Sequence, residues 1–291
     1  MASPEEAYQG LFRGAARLGV LCAGLEVPYE TVVPYVGAFS ERLKDYFELS
    51  IDPVGCSLGI MTRGEGQPFA YRVTRFMEEN GVEERGLRRF LVRAKVFEYK
   101  NIFFKVEVDA RGMREFSTYF RRRPTLDVAH ACLADSGVDS DGVGLMEAVA
   151  EVLKKDTVHF VATAASRQGG LMEKVYFSQP EGLDSWDRVR AAAALCDLSD
   201  ADWAPLDAHR DELQGRTTFV SLGYANGVLV PGLKIDIHGV DPLVVRTLLG
   251  DAEQRHRADL ARASSGDLRH SYVGFRLTPG QPLGIKTYQL G

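Results

Sequence analysis

A unit of two strands joined by a turn, followed by helical sequence, recurs about five times along this chain, and that repeat most limits how it can fold. Clear copies pair residues 158–163 with 173–178, 218–224 with 233–238, and 271–277 with 284–289. Their second strands carry Lys174 with Tyr176, Lys234 with Asp236, and Lys286 with Tyr288. Residues i and i+2 of a strand share a face, so each lysine lies beside a Tyr or an Asp on the same side of its sheet. A cation repeated next to a ring suits a polyanion held beside a developing carbocation better than it suits a purely structural sheet.

The rest of the chain fits this alternation. Helices are expected over 4–18 and 31–43, strands over 46–51, 56–61 and 69–76, and a short basic helix over 85–93. A hairpin of 96–109 with 114–120 follows, then helices over 126–134 and 142–154. The third hairpin turns at 166–170, and a helix at 186–195 precedes the fourth, which turns near Asn226-Gly227. Helices over 241–250 and 252–263 lead to the last hairpin, which turns at 278–282. About ten strands in antiparallel hairpins, with helices that must lie outside any closed sheet, predict an α+β fold: a ten-stranded antiparallel β-barrel surrounded by α-helices, built from five αββα repeats. No linker divides the chain, so residues 1–291 are expected to form a single domain.

Composition excludes several classes. The net charge of −5 argues against a nucleic-acid protein. No apolar run is long enough to cross a bilayer and no leader-like segment opens the chain, so no membrane partner and a cytoplasmic location are expected. The four cysteines, Cys22, Cys56, Cys132 and Cys196, are scattered and read as buried free thiols. The six histidines show no metal-ligand spacing, and His159 and His238 are the two that could line a barrel. P-loop, dinucleotide and nucleophile-elbow motifs are absent. The acidic run 135–141 reads as turn and cap chemistry.

In order and spacing these repeats resemble the soluble aromatic prenyltransferases of the ABBA type. The likeness runs from Tyr8 to Gln289, with Phe69–Phe76, Val158–Phe177 and Gly284–Gln289 as its best segments. It implies transfer of an allylic group, the dimethylallyl group by the abundance of Tyr, Phe and Met on strands, from its diphosphate to an electron-rich aromatic acceptor. Such chemistry needs clustered Lys and Arg to hold the diphosphate and its growing negative charge. It needs aromatic faces beside the cation and a carboxylate to take up a proton.

By this resemblance Arg72, Lys174, Lys234 and Lys286 bind diphosphate, and Tyr119, Tyr176, Tyr224 and Tyr288 shield the cation. Glu48, in Phe47-Glu48-Leu49-Ser50, is the expected proton acceptor. Each of these residues alone also fits an ordinary strand position: a solvent-facing charge for the lysines and Glu48, a packing ring for Tyr224. By the same resemblance Arg72 takes the place where magnesium-dependent relatives carry an Asp, and no DDxxD-like motif occurs, so no cofactor or metal is expected to be required, Mg2+ being at most stimulatory. The second hairpin departs from the pattern: Ser117 stands where a lysine is expected, and either Lys105, Arg114 or Arg121 supplies the charge by a shifted register or the pocket is less basic than usual. Asp236, where a Tyr is common, either meets the acceptor or orients Lys234. The sequence ends soon after Tyr288, as in the cyanobactin peptide-modifying group, which points to an indole/Trp or phenol/Tyr acceptor, as a small molecule or within a peptide. A ligand-binding barrel without catalysis is the alternative, favoured by the gap at Ser117.

Overall fold

A computed structural model describes residues 19, 22–23, 26–39, 46–52, 55–120, 123–167, 169–178, 185–214, 216–248 and 269–290. The helices expected over 4–18 and 252–263 lie outside the described residues. Helix α1 (Tyr29–Phe39) leads into a hairpin of β1 (Tyr46–Asp52) and β2 (Gly55–Gly64). Helices α2 (Gln67–Glu79) and α3 (Glu84–Val96) precede β3 (Ile102–Asp109) and β4 (Gly112–Phe120), and α4 (Leu126–Asp135) and α5 (Ser140–Val152) precede β5 (Phe160–Ser166) and β6 (Leu171–Ser178). Three helices follow: α6 (Ser185–Leu195), α7 (Asp200–Asp207) and α8 (Arg210–Leu213). The fourth hairpin is β7 (Thr217–Ala225) with β9 (Leu233–His238), the short β8 (Val228–Leu229) pairing antiparallel with the end of β7. Helix α9 (Pro242–Leu248) leads to β10 (Arg269–Leu277) and β11 (Gly284–Leu290).

Every neighbouring pair in the order β1-β2-β3-β4-β5-β6-β7-β9-β10-β11 is antiparallel. The two ends of this path, β1 and β11, lie against each other, so the sheet curls round and closes. Alternation then gives each strand one face toward the helices and one toward the barrel interior. The outward row is apolar and buried: Phe104, Val106, Phe116, Val161, Val175, Val220, Ile235 and Phe275. The helices cover it with Phe76, Phe90, Val149 and Trp186. Local signals fix the helix starts. The Asp139 carboxylate accepts from the Gly142 amide (2.8 Å) at the start of α5, and Ser199 with Asp202 forms a capping box on α7.

One expected strand is a helix. Residues 69–76 belong to α2, and Phe69, Ala70, Val73, Phe76 and Met77 make one buried face at helical spacing. Gly66, with φ of 84°, ends the extended chain, and Pro68 sits in the first helical turn, where its missing N–H costs nothing. Arg72 is therefore exposed on a peripheral helix and does not line the barrel, and the argument about magnesium built on its strand position falls with it. The end of α3 at Val96 and the turn over 97–99 likewise replace the expected start of the β3 strand. Helices α7 and α8 had no counterpart in the sequence reading.

Candidate active site

The interior face is set by cross-strand register. Lys105 stands opposite Ser117, and Glu107 opposite Glu115, in the β3–β4 ladder. Ser117 then faces Ala164 on β5, and Ala162 faces Lys174 on β6. Ser221 on β7 faces Tyr176 on one side and Lys234 on the other. Lys234 faces Arg276 on β10, and Gly274 lies between Asp236 and Lys286. Parity thus brings Lys105, Lys174, Lys234, Lys286 and Arg276 into one enclosure with Glu107, Glu115 and Asp236.

These charges interlock. The Ser57 hydroxyl donates to Glu107 Oε1 (2.7 Å), while Lys286 Nζ donates to Glu107 Oε2 (3.1 Å) and Lys105 Nζ lies 3.4 Å from the same oxygen. The Ser117 hydroxyl donates to Glu115 Oε1 (2.6 Å), and Lys174 Nζ is 3.8 Å from that atom. Lys234 Nζ donates to Asp236 Oδ1, as expected for an orienting partner. Gly274 makes this pair possible: a Cβ there would stand 2.6 Å from Lys234 Cε and 2.7 Å from Asp236 Oδ1.

Burial and charge pull these groups in opposite directions. Burial works to raise the Glu107 carboxyl, but Lys286 and Lys105 outweigh it and hold it well below the usual carboxylate range. Glu115 shows the same balance, held low by Lys174 against burial and against its neighbour Glu107. Burial, with Lys105 and Lys286 adding to it, pulls Lys174 down although Glu115 opposes. Burial also lowers Lys234, to about 8, despite Asp236. Among the described side chains named here, five cations against three carboxylates leave this enclosure positive, a place for an anion with more than one charge.

Aromatic rings continue from the lysines. Tyr119 meets Phe160 (centroids 5.7 Å apart) and Tyr176 (6.1 Å), and Phe160 lies 4.3 Å from Tyr176 with the rings tilted by 38°. Phe219 lies 5.2 Å from Phe160 and 6.4 Å from Tyr272. His159 and His238 border this belt, against Phe219 (4.8 Å) and Tyr272 (5.2 Å). Lys174 and Tyr176, two residues apart on β6, join the charged part to the aromatic part.

Of the residues singled out from sequence, Lys174, Lys234, Lys286, Tyr119 and Tyr176 come together here. Arg72 does not. Tyr224 faces the other way: its ring is buried on the outer side of β7, and its hydroxyl donates to the Gly142 carbonyl of α5 (2.9 Å). It packs the barrel to a helix and shields no cation. Glu48 stands opposite Gly59 and Tyr288 opposite Tyr272 in their ladders, and their side chains lie outside the described residues. Lys105, 3% exposed, stands directly across the ladder from Ser117, where the expected lysine is missing. Glu107, Arg276, Phe160, Phe219 and Tyr272 have no motif of their own: Glu107 follows from i, i+2 parity with Lys105, while Arg276 opposite Lys234 and Phe160 opposite Tyr176 follow only from cross-strand register. The acidic loop behaves as turn and cap: Asp139 caps α5, and Asp135 receives Arg89 (2.8 Å).

No family model and no curated protein matches the sequence. Solved structures do resemble the fold. The 5-dimethylallyl tryptophan synthase from Streptomyces coelicolor, in complex with DMASPP and Trp, superposes with a TM-score of 0.65 at 14% identity, over 95% of this chain and 93% of that one. The prenyltransferase PriB, in a ternary complex with L-tryptophan and dimethylallyl thiolodiphosphate, gives 0.64 at 13% identity, over 95% and 94%. AnaPT from Neosartorya fischeri gives 0.68 at 12% identity, over 94% and 91%. Strand order, closure and helix placement agree with this likeness, and the chain has the PT-barrel fold of the ABBA-type aromatic prenyltransferases.

Proposed function

We propose that this protein is an aromatic prenyltransferase that moves an allylic group, the dimethylallyl group, from its diphosphate to an indole-type acceptor. The observation that carries this reading is the positive enclosure of Lys105, Lys174, Lys234, Lys286 and Arg276 opening onto the belt of Tyr119, Phe160, Tyr176, Phe219 and Tyr272. The same fold in two of the proteins named above, the Streptomyces coelicolor synthase and PriB, holds a dimethylallyl donor analogue together with tryptophan. Lys105, across the ladder from Ser117, supports this reading over a non-catalytic barrel.

The reaction follows from the layout. Lysine ammonium groups bind the phosphoryl oxygens by charge-assisted hydrogen bonds, which strengthen as the allylic C–O bond breaks and its electron pair moves to the departing diphosphate. The rings of Tyr176, Tyr119 and Phe160 face the allyl cation, each contributing about 0.5–2 kcal/mol of cation–π attraction. The acceptor ring bonds to the allyl carbon and then loses its ring proton to a carboxylate, for which Glu48 remains the assigned residue. The products are the prenylated arene, diphosphate and a proton on that carboxylate. The lysines supply the positive charge that a divalent metal would otherwise bring, so turnover is expected in EDTA.

Free tryptophan is the first acceptor to test, with a tryptophan- or tyrosine-containing peptide as the finer alternative. Buried thiols at Cys22, Cys132 and Cys196 suit a reducing compartment, and we place the protein in the cytoplasm. Incubation with dimethylallyl diphosphate and each acceptor, followed by mass spectrometry, is expected to show a single added dimethylallyl group and released diphosphate. Diphosphate release without prenylated product, or neither, would overturn this reading.

A further inference from the structure

Glu107 and Glu115 stand directly opposite each other in the β3–β4 ladder, inside the barrel. Like charges so placed are destabilising, and burial adds the cost of removing both from water. Three lysines offset this. Glu107 bridges Lys105 on its own strand and Lys286 on β11, and Glu115 meets Lys174 on β6. Each carboxylate is also held from behind by a hydroxyl, Ser57 or Ser117. Two anionic groups a cross-strand spacing apart, surrounded by lysines, have the charge pattern of two linked phosphoryl groups.

We infer that Glu107 and Glu115 are positioning residues that stand in for diphosphate in the empty barrel, holding Lys105, Lys174 and Lys286 until the donor arrives and taking them back when product diphosphate leaves. This rests on the prenyltransferase reading and deepens it. Without a resident anion the five interior cations would repel one another, and the lysines would lose charge or swing away. With one, they stay charged and aimed inward. The seryl hydroxyls keep one hydrogen bond on each carboxylate after its lysine has turned to the ligand, so the exchange leaves neither glutamate unpartnered. The arrangement weakens diphosphate binding in return for fast product release.

The test is isothermal titration with inorganic diphosphate in EDTA at about pH 7, below the value of about 8 at which Lys234 loses its proton. Glu107→Gln and Glu115→Gln are each expected to bind diphosphate about tenfold more tightly than the parent protein, with turnover slowed by retained product. Glu107→Gln placed in a Lys286→Met background should lose most of its gain, because the lysine it competed for is gone. Residues that merely scaffold the strands would show the opposite sign, so unchanged or weaker binding in both variants overturns the inference. If Glu107→Gln does not fold, the more accessible Glu115, whose side chain is 24% exposed, decides the matter alone. Failure of the parent protein itself to bind diphosphate would instead overturn the prenyltransferase reading.

Discussion

Lys234 makes the site's charge depend on pH within an accessible range. Burial lowers its ammonium to about 8, from an ordinary 10.5. By the usual titration law it is then about nine-tenths charged at pH 7 and about one-tenth charged at pH 9. A bound diphosphate oxygen favours the protonated form and raises the value back toward the ordinary one. Donor binding must therefore take up a proton at the upper end of this range, and affinity must fall as pH rises through 8. The arithmetic gives about a tenfold weaker donor at pH 9 than at pH 7, or about 1.4 kcal/mol, with close to one proton bound per donor at pH 9 and about one-tenth at pH 7. The donor's own phosphates, whose last ionisation lies near pH 6, are almost fully charged across this window. Titration of dimethylallyl S-thiolodiphosphate in buffers of different ionisation enthalpy measures both quantities, and Lys234→Met should flatten the profile. A constant affinity from pH 7 to 9 with no proton uptake would refute the placement of Lys234 against the diphosphate.

Further outcomes follow from individual residues. Gly274→Ala puts a methyl group against the Lys234–Asp236 pair and is expected to weaken donor binding about tenfold while leaving circular dichroism unchanged. Tyr224→Phe removes a buried hydrogen bond to Gly142 and should lower unfolding stability by about 1 kcal/mol in a denaturant titration, without altering donor affinity. Arg72→Ala, on an exposed helix, should leave donor affinity within twofold of the parent value; a tenfold loss would return Arg72 to the site.

The hairpins were legible because alternation is written into the second strand of each, as in Lys174-Val175-Tyr176 and Lys234-Ile235-Asp236. Residues 69–76 misled because their apolar positions fit either period over two turns. Gly66, Pro68 and Met77, just outside that window, decide for the helix. Lys105 and Glu107 alternate cleanly with Phe104, Val106 and Val108, yet a strand's own pattern does not say whether its polar face meets solvent or an enclosed interior. Only closure of β1 against β11 makes that face an interior. Residue type alone suggests Tyr224 as a ring of the site. The parity of β7, fixed by Ser221 lying between Tyr176 and Lys234, turns Gly223 inward and Tyr224 outward.

In the proposed mechanism, interior lysines on separate strands hold a prenyl diphosphate without metal. Isothermal titration of dimethylallyl S-thiolodiphosphate in EDTA, with Lys174→Met and Lys286→Met beside the parent protein, tests it most directly. Micromolar binding that weakens at least about tenfold in each variant is the predicted result. Absence of binding with and without Mg2+, or affinities that ignore both lysines, would contradict it.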